Sequence, residues 1–325
     1  MPQKSIAYAV GRICVLERDA LDAGRLERLM AAASYGEALR TLQEIGWTSA
    51  ETTDYEQVAM EHVEKACALI REITPDPQIT DCFLLRYDFQ NLKILLKARC
   101  LGEKAGHLSA CGTLSVDVLQ HAVADHRYVA LPGLMAAAMD TLEKQMAIHV
   151  DPMEIDVVLD HAMYAMIFDH LDAHPMPTVR QYFVARVDLL NALMILRVRA
   201  IGKKVDFFMR VMLAGGTIAS DAWQRVWDKV ERIPEMLRVY GRDITEAAQH
   251  AIEDSGALPA FECATDNLLL SFFHSYRHAS LSFEPVVGYL LGRERESAAV
   301  RLILSGKANG FPMEAVRERL RDLYG

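Results

Sequence analysis

Apolar side chains recur along most of this 325-residue chain at the three- and four-residue spacing of a helix face, and sustained two-residue alternation is rare. In the stretch from Glu51 to Ile73, Val58, Val63, Ala66, Leu69, Ile70 and Ile73 fall mostly on one side. Pro75, Asp76 and Pro77 then stop the pattern, because proline lacks an amide proton and clashes with the preceding turn. Further breaks lie at His174 to Pro177, Leu213 to Gly216 and Gly256 to Pro259. The pattern predicts an all-α protein. Its longest nearly uncharged runs, such as Tyr128 to Met139, stay well short of the roughly 20 residues a membrane helix needs.

One helical pattern is written more than once. RYDFQNLKILLKARCLGEK from Arg86 returns one hundred residues later as RVDLLNALMILRVRAIGKK from Arg186, with seven identities in nineteen positions. Arg86, Asp88, Asn91, Arg99 and Gly102 correspond to Arg186, Asp188, Asn191, Arg199 and Gly202. A second element, GTLSVDVL from Gly112, returns as GTIASDAW from Gly216, and both read as turns running into a helix, with Leu119 and Trp223 opening amphipathic stretches there. The amphipathic stretch from Leu26 has the same character, and RERESAAVRLILSGKANG near the C-terminus supplies a fainter third helix. There Glu296 falls on Asp88, Ala299 on Asn91, Lys307 on Arg99 and Gly310 on Gly102. A period near 100 residues exceeds the 20 to 50 of common solenoids. Three small helical domains of one design are expected instead, over residues 1–105, 106–212 and 213–325.

Asp88, Asn91, Leu95, Arg99 and Gly102 form one stripe of the repeated helix, beside an apolar stripe of Leu85, Phe89, Leu92 and Leu96. Asp88 and Arg99 stand about 16 Å apart along the axis, too far to pair, so each must find a partner elsewhere. One reading makes Arg86, Asp88, Asn91 and Arg99 an anion-clamping active site with an aspartate base. The other makes them interhelix ties, copied because the domain is copied. The ties are favoured, since neither copy brings a nucleophile or a histidine. Lys97, Arg99, Arg197, Arg199 and Lys203 crowd the last turns, where cations complement the helix dipole. Gly102 and Gly202 suit the left-handed cap that follows.

No phosphate loop, zinc-protease helix or nucleophile elbow is written in the chain, so no cofactor or metal is expected. His121 with His126, and His170 with His174, lack a third ligand at a known spacing. The 15 methionines read as core filler. Six cysteines without a C-x-x-C pair read as reduced, buried thiols. A net charge of -9 argues against a nonspecific nucleic-acid binder. No leader is evident in the first twenty residues, which points to a cytoplasmic protein.

The recurring D-x-x-N helix, the ending EPVVGYLLGRERESAAVRLILSGKANGFPMEAVRERL and the opening YAVGRICVLERDAL together resemble the C subunits of vacuolar- and archaeal-type rotary ATPases, known in eukaryotes as the d subunits. The resemblance spans essentially the whole chain. It implies a non-catalytic rotor part in which three similar helical domains surround a pseudo-threefold axis as a funnel. The central shaft would sit in its mouth and the membrane rotor ring beneath, with the chain peripheral on the membrane through that sector. Two other readings stay open at this level: a helical enzyme with a metal or anion site between repeats, and a helical scaffold outside the ATPase.

Overall fold

The computed structural model describes residues 5–48, 52–149 and 151–325. Met1 to Lys4, the start of the segment in which no leader is expected, and Glu51, which opens the first amphipathic stretch, lie outside them. The protein is 73% helix, with no strand among the described residues. In chain order the helices are α1 (Ile6–Leu16), α2 (Ala23–Ala31), α3 (Tyr35–Glu44), α4 (Tyr55–Ile73), α5 (Pro77–Leu101), α6 (Val116–Ala124), α7 (Gly133–Met146) and α8 (Pro152–Ala173). They continue with α9 (Pro177–Ala200), α10 (Val205–Val211), α11 (Ser220–Val226), α12 (Ile233–Met236), α13 (Arg242–Glu253), α14 (Leu258–His274), α15 (Glu284–Ala308) and α16 (Met313–Arg317).

The expected breaks at Pro75 to Pro77 and His174 to Pro177 fall between α4 and α5 and between α8 and α9, and that at Leu213 to Gly216 falls between α10 and α11. Proline opens α5, α8 and α9, where a missing amide proton costs nothing. Asp76 and Asp151 cap the first two by accepting the amides of Gln78 at 3.1 Å and Met153 at 2.9 Å. The stretch from Leu26 is cut into α2 and α3, with Ser34 accepting the Glu37 amide at 3.2 Å. The three repeated helices α5, α9 and α15 all run into a left-handed glycine, Gly102 (φ 66°), Gly202 (φ 69°) and Gly310 (φ 67°). The amide one residue beyond each glycine then donates back to Ala98, Val198 or Gly306, at 3.0, 3.1 and 2.8 Å.

The chain divides into two compact units, residues 1–75 with 256–325, and residues 76–255. In the first, α15 is the central element and packs on α4, α14, α1, α3 and α16. The C-terminal half of α15 meets the N-terminal segment directly: Val300, Ile303 and Leu304 share a core with Leu21, Leu29, Leu42, Trp47 and Val58. This burial on nearly every side explains why α15 has no wide polar face. In the second unit α5 packs on α6 and α8, and α8 packs on α7 and α9. Phe83 of α5 also reaches Tyr182 and Phe183 of α9, with ring centroids 5.3 and 5.0 Å apart. Of the cysteines, Cys67, Cys82 and Cys111 are buried as expected, whereas Cys14 is exposed on α1.

Two glycines of the first unit separate backbone conformation from packing, because a β-carbon at either would meet open space. Gly310 is left-handed, so Gly310→Ala is expected to lower the urea midpoint, at a cost of about 1 kcal/mol. Gly36 lies within α3, so Gly36→Ala should raise it slightly. Equal shifts for the two variants would contradict the cap.

Candidate functional site

The repeated polar residues lie on helices whose apolar faces are buried, so their partners define what they do. Asp88 has no exposed surface. Its carboxylate accepts the Thr113 amide and hydroxyl, both at 2.7 Å, and the Leu114 amide at 3.1 Å. One turn later, the Asn91 carboxamide donates to the Ser109 carbonyl at 2.8 Å and accepts the Ser109 amide at 2.9 Å. Together they satisfy a connection whose main-chain groups are drawn out of water.

The second copy repeats this tie. Asp188, also wholly buried, accepts the Thr217 amide at 2.9 Å, its hydroxyl at 2.5 Å and the Ile218 amide at 3.2 Å. Asn191 exchanges both hydrogen bonds with the main chain of Leu213 at 2.9 Å. Tyr240 adds a hydroxyl donated to Asp188 at 2.6 Å, and burial together with that bond raises the phenol above its ordinary range. The GT pair of each connection has a steric reason. A β-carbon on Gly112 would stand 1.9 Å from an Asp88 oxygen, and one on Gly216 would stand 2.0 Å from an Asp188 oxygen.

The cations near the helix ends share a different task. Arg99 donates to the Val123 carbonyl at 3.0 Å, in the last turn of α6. Arg199 donates to the Trp227 carbonyl, just past α11, and stacks over that indole at 5.5 Å. Lys307 donates to the carbonyls of Met30 at 2.9 Å and Ala32 at 2.5 Å, at the end of α2. In all three copies a cation of the long helix therefore caps the C-terminus of a short one. For α5 and α9 the short helix comes next in sequence or soon after; for α15 it is the second helix of the chain.

Glu296 departs from the aspartates. It accepts the Trp47 indole at 3.0 Å and the Arg293 guanidinium at 3.1 Å, and His62 Nε2 lies 3.4 Å away. With Ala299 in the asparagine position, no main-chain exchange like that of Asn91 is made there. Arg86 and Arg186 have turned to phenols. Arg86 donates to Tyr87 at 2.9 Å, and Arg186 donates to Tyr164 at 3.1 Å and Tyr182 at 3.5 Å.

The structure thus brings Asp88 and Asn91 to one connection, while Arg99 works on another segment, where its guanidinium also donates to Glu143 at 2.6 Å. Burial pushes the Glu143 carboxyl up, but hydrogen bonds from Tyr128 and Arg99 outweigh it and hold the group below its ordinary 4.5. Burial and the bond to Glu143 push the Tyr128 phenol up to about 12. Gly112, Gly216, Tyr128, Glu143 and Tyr240 were not anticipated as partners. Only the recurrence of Gly-Thr after the repeated helix hinted at the first two. Among the described residues, no three or more His, Cys, Asp or Glu gather as metal ligands.

The chain matches the family model described as ATP synthase (C/AC39) subunit over residues 9–319. It belongs to that family. Among curated proteins it is similar to the C subunit of the V-type sodium ATPase of Enterococcus hirae, at 26% identity over 83% of each chain. It is also similar to the C subunit of the A-type ATP synthase of Haloquadratum walsbyi, 25% identical over 70% of this chain and 60% of the relative. The corresponding protein of Halobacterium salinarum is 29% identical over 61% and 59%. Membership in the C/AC39 family thus stands on nearly the full chain.

Two outcomes test the geometry of this family member. Asp188→Ala is expected to cost about 1–3 kcal/mol by leaving buried amides unpaired. Gly216→Ala should cost a similar amount by displacing the same carboxylate, so the double variant loses less than the sum. Additive losses in urea unfolding would show that the glycine acts elsewhere. For Glu143 the folded carboxyl is depressed, so its stabilisation is complete above the ordinary 4.5 and is lost as pH falls below it. The stability gap between wild type and Glu143→Gln should therefore narrow in acid and stay constant from about pH 6 upward. A gap that widens in acid would contradict the assignment.

Proposed function

We propose that this chain is a non-catalytic central-stalk subunit of a V/A-type rotary ATPase, coupling the shaft of the soluble head to the membrane rotor ring. The observation that carries the reading is the family match over residues 9–319. The names of the relatives, C subunits of a V-type sodium ATPase and of A-type ATP synthases, agree with it. The polar set supports a structural rather than a catalytic role: the Asp88 and Asp188 carboxylates are buried and occupied by main-chain amides, which leaves no exposed base for a substrate. On this reading Arg86, Asp88, Asn91, Arg99, Gly102 and their counterparts build the domain, and three such domains stand about a pseudo-threefold axis as a funnel.

Rotation transmits torque only if shaft and ring are fixed to one another. Among the described residues no helix is long and apolar enough to cross a membrane. The protein then holds the ring through the ring's exposed loops and the shaft through its own concave face, staying peripheral on the membrane sector. A joint of this kind between separable sectors favours polar, salt-sensitive rim contacts over a wholly apolar seam.

Removing the protein from membrane vesicles that contain the complex is expected to leave an ATP-hydrolysing head that no longer drives ions, with pumping restored by adding the chain back. Coupled pumping at the normal level without it would overturn the proposal. Loss of hydrolysis in the isolated head would favour a catalytic role instead.

A further inference from the structure

In the first compact unit, a groove of about 470 Å³ runs along α15, bordered by α4, α14 and the segment after α16. Its size suits a small-molecule cleft. Four arginines line it, Arg295, Arg301, Arg319 and Arg321, against the two carboxylates of Glu56 and Asp266. This concentration of positive charge occurs in a chain of net charge -9.

The pairing inside the groove leaves guanidinium groups over. Arg301 Nε stands 2.9 Å from Glu56 and is matched one to one. Arg295 and Arg321 share one carboxylate, with Arg321 Nε 3.1 Å and Arg295 Nη1 3.6 Å from the same Asp266 oxygen. Arg295 also donates to the Asp266 main-chain carbonyl at 3.2 Å, which fixes its place without neutralising it. Arg319 is exposed, and among the described residues its side chain has no ion pair or hydrogen bond. Among the lining residues the guanidinium groups therefore outnumber the carboxylates by two on one concave wall.

Arginine forks match phosphate oxygens in pairs, which a lysine ammonium does not do. The small Ala298 leaves room on the wall, which Ser305 also lines. A single carboxylate entering from solvent would balance one charge; a compact oxyanion with two or more negative charges balances both.

We propose that this groove is a binding site for a diphosphate-class oxyanion, held by Arg295, Arg319 and Arg321. The anion comes either as free pyrophosphate or as the phosphate chain of a nucleotide, and the chemistry read by the protein is the same. The site stands apart from the coupling role above and does not depend on it.

The test is isothermal titration of the full chain at low ionic strength with inorganic phosphate, pyrophosphate, ATP and adenosine. Pyrophosphate is expected to bind saturably at one site, more tightly than phosphate, and adenosine alone is expected not to bind. ATP binding more tightly than pyrophosphate would uphold the site and name a nucleotide as its source; equal binding would uphold it as a reader of phosphate alone. Arg319→Gln removes an exposed side chain without a protein partner, so folding is retained, as circular dichroism can verify. It should weaken pyrophosphate binding about fivefold, the size of one partly solvated charge pair. Replacing Lys203 and Lys204 of the other unit by glutamine should leave binding unchanged. Absence of saturable pyrophosphate binding, indifference to Arg319→Gln, or equal weakening by the lysine control would overturn the proposal.

Discussion

A buried carboxylate that accepts main-chain amides is the interaction on which the repeated part of this structure depends. The segments tied to α5 and α9 run back against these helices, and the amides of Thr113, Leu114, Thr217 and Ile218 are partly withdrawn from water there. Asp88 and Asp188 replace that water with charge-assisted hydrogen bonds from Thr113, Leu114, Thr217 and Ile218. The demand propagates outward. The carboxylate needs the space a β-carbon would fill, which calls for Gly112 and Gly216. The asparagine one turn on completes the exchange at Ser109 or Leu213. Removing either end leaves a buried polar group without its partner, so helix and connection behave as one piece.

The third copy shows which part of the design is separable. Lys307 still caps a short helix as Arg99 and Arg199 do, but the helix is α2, so α15 closes the C-terminal part of the chain onto its beginning. Glu296 has exchanged main-chain amides for the side chains of Trp47 and Arg293, and Ala299 no longer needs to meet an amide and a carbonyl. A glycine cap and a C-terminal cation survive because they answer constraints local to a helix end. The aspartate and asparagine changed with the segment they face. In the first two copies the ties run from the long helix to a segment beyond it, so they cross the expected boundaries at residues 105 and 212.

What was legible in the sequence follows the same division. Helix type, the proline breaks before α5 and α9 and the left-handed caps at Gly102 and Gly202 depend on residues within a few positions of each other, and the sequence pattern carries them. The two stripes on α5 told which residues need partners. They could not tell whether Asp88 was a base or a tie, because that choice rests on an amide 25 residues away. Trp47 and Glu296, 249 residues apart, offered no local signal at all. Tyr240 reaches Asp188 across 52 residues and has no marked counterpart in the first copy's pattern. The arginine groove was equally hidden, since its four cations come from a helix face and a terminal segment.

The conspicuous polar residues of this C/AC39 family member are consumed in holding its own connections. The claim underneath is that the two buried aspartates are occupied by the backbone and unavailable for chemistry. Amide hydrogen exchange at single-residue resolution tests it most directly. The account predicts that the Thr113, Leu114, Thr217 and Ile218 amides are protected to the level of the α5 and α9 interiors, and that Asp188→Ala strips protection from Thr217 and Ile218 while Thr113 keeps its own. Wild-type amides at those four positions exchanging as fast as an exposed loop would contradict it.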